Sequence, residues 1–123
     1  MRNRLVPRAE WLSFLKGFSR RHADDRVTVQ VLAPGLGSQV EARALPLEGI
    51  MAGRRTNGPI SISVGRTSER HVEHEVPDPS QVWVQMSEDG AERALDIESQ
   101  DGTRTIVQLE PAPAVESRAL LPR

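Results

Sequence analysis

Residues 71–75, His71-Val72-Glu73-His74-Glu75, are the densest group of potential metal ligands and proton carriers in this chain of 123 residues. On a helix, His71 and His74 would share a face and could hold one divalent ion. The pattern around them is that of a strand, with Val72 and Val76 flanking His74 at alternate positions. There His71, Glu73 and Glu75 point one way and Val72, His74 and Val76 the other. The imidazoles then part: His74 sits partly buried at the inner edge of a sheet, and His71 in solvent beside Ser61 and Ser63. An enzyme with an unrecognised site near His71 and His74 is kept as an alternative. No catalytic residue, metal ligand or cofactor is assigned.

Other routes to catalysis have little material. No serine lies in a G-x-S-x-G elbow, and there is no P-loop, H-E-x-x-H or EF-hand series. The chain has no cysteine, which removes disulfides, thiolate chemistry and Cys-containing zinc sites. Gly35-Leu36-Gly37 is followed by a strand pattern rather than a helix, so it is poor support for a phosphate loop. Asp78, Asp89, Asp96 and Asp101 fall at turns or on a solvated strand face, where carboxylates are ordinary.

Binding has better candidates. Trp83 stands between Val82 and Val84; if the valines face inward, the indole leaves by the other face, near Asp96 and, two strands over, Ile106. Either the helix or the tail covers it there, or Trp83 and Ile106 form a patch for a partner. Arg54 and Arg55, with Arg66 and Arg70, lie on or beside loops, and basic loops on small barrels bind single-stranded nucleic acid. That role also needs stacking aromatics, and only 3% of the chain is aromatic. The formal charge of −1 likewise argues against binding nucleic acid through bulk charge. The charge is uneven: residues 1–26 hold seven basic and three acidic groups, an excess of +4 that leaves −5 for the remainder.

The elements that must position these residues centre on the stretch 81–110, which reads as three strands separated by turns at 87–90 and 99–102. Val82, Val84 and Met86 share one face, as do Leu95 and Ile97. A two-residue turn at Asp89-Gly90 sets Val84 against Leu95 and Val82 against Ile97, matching apolar faces; a slip of one residue would exchange the faces. At the second turn the same test requires a three-residue loop, Gln100-Asp101-Gly102, with Gly102 left-handed. It sets Val107 against Leu95 and Glu98 against Arg104. The two hairpins are therefore expected to differ in construction.

Upstream, residues 7–21 carry the one helical pattern, with Trp11, Leu12, Phe14, Leu15 and Phe18 as its apolar stripe. Pro7 suits its first turn and Arg20 and Arg21 its last. A strand follows at Val27, Val29 and Val31, then one at Val40, Ala42 and Ala44 whose phase shifts to Leu45 and Leu47 beside Pro46, the mark of a bulge or bend. Residues 51–59 read as a loop. Ile60, Ile62 and Val64 form the next strand, and 70–76 the one after it, before the Pro77-Asp78-Pro79 break.

The fold class is thus α+β: an N-terminal amphipathic helix packed on a strongly curved antiparallel sheet or small β-barrel of about seven strands. Residues 1–110 form a single domain and 111–123 a C-terminal tail. No apolar run is long enough to span a membrane, and the first residues lack a secretory pattern. With 15 of its 16 basic residues arginine, the chain fits a bacterial cytoplasm.

The segment PRAEW with Phe14, Leu15, Phe18 and Ser19, the LPLEG at 45–49, and the stretch from VPDPSQVWV to DGTRT resemble a family of short bacterial proteins, domain of unknown function 5335. The resemblance runs from about Pro7 to Pro111 and implies bacterial origin. It implies no activity, cofactor or site residue. The expected function is a small non-enzymatic cytoplasmic interaction or structural protein, self-associating or binding a protein partner through strand edges or the Trp83 face. A small β-barrel binding single-stranded nucleic acid through basic loops is the alternative beside the enzyme.

Overall fold

Trp11, Leu15 and Phe18, spaced four and three residues apart, are the buried stripe of the α-helix α1 (Trp11–Arg21). The computed structural model describes residues 2–54, 58–67 and 69–110; the loop residue Arg55 and the tail at 111–123 lie outside them. A 3-10 turn, Arg8–Glu10, leads into α1, and Pro7 opens it by accepting the Glu10 N–H at 2.8 Å. Leu12, expected in the stripe, is 59% exposed. The helix docks mainly along one strand, so only a narrow stripe is covered and the flank carrying Leu12 faces out.

Among the described residues eight strands form one antiparallel sheet: β1 (Arg2–Val6), β2 (Arg26–Ala33), β3 (Gly37–Ala52), β4 (Ile60–Val64), β5 (Val72–Val76), β6 (Pro79–Met86), β7 (Glu92–Ser99) and β8 (Arg104–Leu109). Their spatial order is β1-β6-β7-β8-β2-β3-β4-β5, and the sheet is open, ending at β1 and β5. The expected count of about seven omitted β1. Its residues show no alternation of apolar and polar types, and the segment is extended because it pairs with β6 from Arg2 opposite Met86 to Val6 opposite Val82.

β3 is the hinge of the sheet. Its first part pairs with β2 and its second with β4. The phase shift read from sequence is present: the register with β2 slips between Val27 and Val29, where Ala44 takes a φ of 54° and donates its N–H to Thr28 Oγ1 at 3.1 Å. The strand then runs on through Ala52, past the point where a loop was expected. Where β2 has ended, other groups serve the β3 backbone. Leu47 pairs with Asp24 and Asp25 at 3.0 and 2.8 Å. Ile50 donates its N–H to Ser19 Oγ at 2.8 Å, and the same hydroxyl lies 3.0 Å from the Ile50 carbonyl. A helix side chain thus stands in for a neighbouring strand.

In the meander the expected pairs are present: Val84 with Leu95, Val82 with Ile97, Leu95 with Val107 and Glu98 with Arg104. The turn expected at Asp89-Gly90 is corrected. Both connections are three-residue loops, closed by Ser87 N–H to the Ala91 carbonyl and by Ser99 N–H to the Thr103 carbonyl, each at 2.8 Å. Gly90 and Gly102 are left-handed in both, with φ of 89° and 90°. A bulge between Gln85 and Met86, which sets Met86 against Glu92, absorbs the extra residue and restores the faces.

The inward faces of all eight strands and the helix meet in one core. It runs from Val6, Val82 and Leu95 through Val27 and Val107 to Leu47, Ile50, Ile62 and Val76. The Trp11 indole is buried in it and donates to the Val6 carbonyl at 3.0 Å, which fixes β1 to the helix.

Candidate functional site

Alternation sends Trp83 away from Val82 and Val84, which are fully buried, while Trp83 is half-buried on the outer face. Strand pairing then decides its neighbours. Leu5 faces Trp83, Trp83 faces Asp96, Asp96 faces Ile106, Ile106 faces Gln30, and Gln30 faces Val40. One row therefore crosses β1, β6, β7, β8, β2 and β3. Leu5 and Val40 at its ends are each 43% exposed, and Ile106 is half-buried. Leu5 is its cross-strand neighbour on β1, and Trp83 borders a shallow depression with Asn3, Gln81 and Gln85.

Asp96 is the anomaly of this row, a carboxylate only 6% exposed on an outward face. Arg104 accounts for it. Its Nε lies 3.4 Å from Asp96 Oδ1 and its Nη2 bonds Oδ2, so the carboxylate is covered and neutralised by one guanidinium. The expected cross-strand partner of Arg104 was Glu98; the diagonal neighbour Asp96 takes the bond. Hydrogen bonding to Asp96 also holds the Arg104 guanidinium more firmly protonated. Asn3, Gln81 and Gln85 border Trp83, so polar side chains flank the indole along the strands.

His71 and His74 separate as the alternation requires. His74 is half-buried beside Val72 and Val76, opposite Ile62. His71 is exposed, with Nε2 3.1 Å from Glu48 Oε1. It borders a shallow depression of about 490 Å³ with Ser61, Ser63 and Glu73. The structure brings His71 to these serines and leaves His74 on the opposite face, so one ion cannot bind both.

An ionic cluster at the end of α1 was not singled out in the sequence. His22, just after α1, holds Nδ1 3.0 Å from Asp25 Oδ2 and Nε2 2.6 Å from Glu92 Oε1. Arg21 adds two bonds to Glu92, at 3.1 and 2.8 Å. The His22 ring packs on Phe18 with centroids 4.5 Å apart. Burial pushes the Glu92 carboxyl up, but the hydrogen bonds from Arg21 and His22 outweigh it and hold the group below its ordinary range. The His22 and Asp25 spacing at a helix end was a readable signal; Glu92, 70 residues away, was not.

Arg54 lies far from Trp83 in the sheet order, beside the other end of α1. It is exposed and lines a cleft between α1 and the end of β3, with Leu12, Lys16, Met51, Ala52 and Gly53. Trp83 and Ile106 thus belong together, and Arg54 to a separate surface. Arg66 is ion-paired with Asp24. Among the described residues no helix is long and apolar enough to cross a membrane.

The family of unknown function DUF5335 matches residues 2–118. An uncharacterised protein of Aquifex aeolicus (strain VF5) is 24% identical over 112 residues, which cover 91% of this chain and 96% of that relative. No solved structure matches the chain.

Proposed function

This chain belongs to the DUF5335 family, and from that premise we propose that it is a small non-enzymatic interaction protein. Its contact surface is the outer face of β1, β6, β7, β8, β2 and β3, centred on Trp83 and Ile106. The observation that carries the reading is the row Leu5, Trp83, Asp96, Ile106, Gln30, Val40, which sets four apolar side chains across one outer face. Tryptophan is one of the side chains enriched among interface anchors. The bond from Arg104 to Asp96 fixes the centre of the patch before any partner arrives, which lowers the ordering penalty of association. The same reading takes the sheet to curl strongly round α1 and places the protein in the bacterial cytoplasm, where the partner is a second copy or another protein.

Cross-linking in the native cell, with wild type beside a Trp83→Ala, Ile106→Glu double variant, tests this. Both positions are only half-buried, so the variant is expected to keep a wild-type circular dichroism spectrum while losing the cross-linked species. Retention of the same species by the folded variant removes the outer face as the contact surface.

A further inference from the structure

A second surface lies between α1 and the end of β3, independent of the Trp83 face. Leu12 and Met51 are 59% and 70% exposed, and they meet across one cleft of about 810 Å³. Exposed apolar groups converging from two elements mark an interaction site more firmly than scattered ones do. Lys16 stands one helical turn beyond Leu12 on the same side, and Arg54 lies at the far end, so the rim carries two exposed cations. Glu48 also lines the cleft, with its carboxylate set against His71.

The backbone adds a direction. Ile50 turns its N–H and carbonyl toward α1, where Ser19 meets both. Backbone groups two residues on in an extended strand point the same way, so Ala52 presents its N–H and carbonyl into the cleft. Gly53, the next residue, donates its N–H to the Pro59 carbonyl on the β4 side at 3.0 Å, so alternation puts the Ala52 groups on the edge of β3 away from β4. Ser19 of the helix occupies this edge at Ile50, and at Ala52 the described residues lining the opening include Trp11, Leu12 and Gly53.

We propose that this cleft binds an extended acidic peptide segment of a partner protein. Its backbone pairs with Ala52, its apolar side chains rest on Leu12 and Met51, and its carboxylates reach Lys16 and Arg54. Strand addition supplies affinity through main-chain hydrogen bonds, and the side-chain pockets supply selectivity. The opposite charges favour an acidic partner and speed its approach.

A random peptide library displayed on phage and selected on the full-length protein tests this. The expected binders alternate apolar with acidic residues and compete with one another. Lys16→Glu and Met51→Glu, both at exposed positions, are each expected to raise Kd at least tenfold without lowering Tm, while Trp83→Ala leaves Kd unchanged. Selection of no binder, of binders without acidic bias, or of binders indifferent to both substitutions overturns the proposal. So does a protein whose selected peptides are displaced by a second copy of itself, since the occupant would then be this chain.

Discussion

His22 is held between two carboxylates, with its ring nitrogens 3.0 Å from Asp25 and 2.6 Å from Glu92. Arg21 completes the clasp between the end of α1 and the start of β7. Burial pushes the Glu92 carboxyl up, and the bonds from Arg21 and His22 pull it down by more. Its folded value therefore lies below its unfolded value of about 4.5. The stabilisation it gives is present above that pH and is lost as pH falls through the folded value. Glu92→Gln is expected to lower stability by about 1 kcal/mol at neutral pH, a modest figure because the Arg21 side chain is 47% exposed and solvent screens it. Urea unfolding across a pH series checks this: the deficit should shrink below pH 4.5. A deficit constant with pH would assign Glu92 a packing role instead.

At the scale of elements, the register of the meander was legible because side chains alternate with a period of two and only one register buries Val82, Val84, Leu95 and Ile97 together. The turn joining β6 to β7 was not. A two-residue turn and a three-residue loop with a bulge leave the same faces buried, so apolar pattern alone does not separate them. The Asp side chains do. Asp89 accepts from Ala91 N–H at 3.3 Å and Asp101 from Thr103 N–H at 2.9 Å, the same local bond in both loops. Two glycine and alanine positions follow from the hinge at β3. A Cβ on Gly65, whose φ is 93°, would lie 1.7 Å from the Arg70 carbonyl oxygen. Gly65→Ala must therefore displace the backbone between β4 and β5, and a loss of roughly 2–4 kcal/mol is expected in chemical denaturation. Ala44 has the reverse problem, an L-residue at a φ of 54°. Ala44→Gly removes the Cβ clash and should stabilise by about 0.5–1 kcal/mol, seen as a higher Tm. No gain there would mean that the bulge bonded to Thr28 is not strained.

Strand order is a property of the whole molecule, and no local pattern encodes it. The sequence places β6, β7 and β8 side by side because short turns join them, but it does not say that β2 lies beside β8 or that the first residues form an edge beside β6. Those pairings arise because Leu109 and Val27, or Val6 and Val82, bury together only in that arrangement. The candidate surface was legible to the same degree: Trp83, Asp96 and Ile106 follow from the meander, while Leu5, Gln30 and Val40 required the long-range pairs. β1 is thus small in length and large in consequence. It covers the edge of β6, gives Trp83 its neighbour Leu5 and accepts the Trp11 indole N–H through Val6. Deleting residues 2–6 leaves the ladder groups of β6 unpaired, the buried indole N–H without an acceptor and the Val6 site in the core empty. Each of the last two losses is worth about 1–3 kcal/mol, so the truncated chain is expected to melt well below the full one. The bare β6 edge should also promote strand-to-strand association. Thermal unfolding with light scattering reads both effects at once. A truncated protein that stays monomeric and melts with the full chain would show that β1 neither completes the core nor guards the sheet.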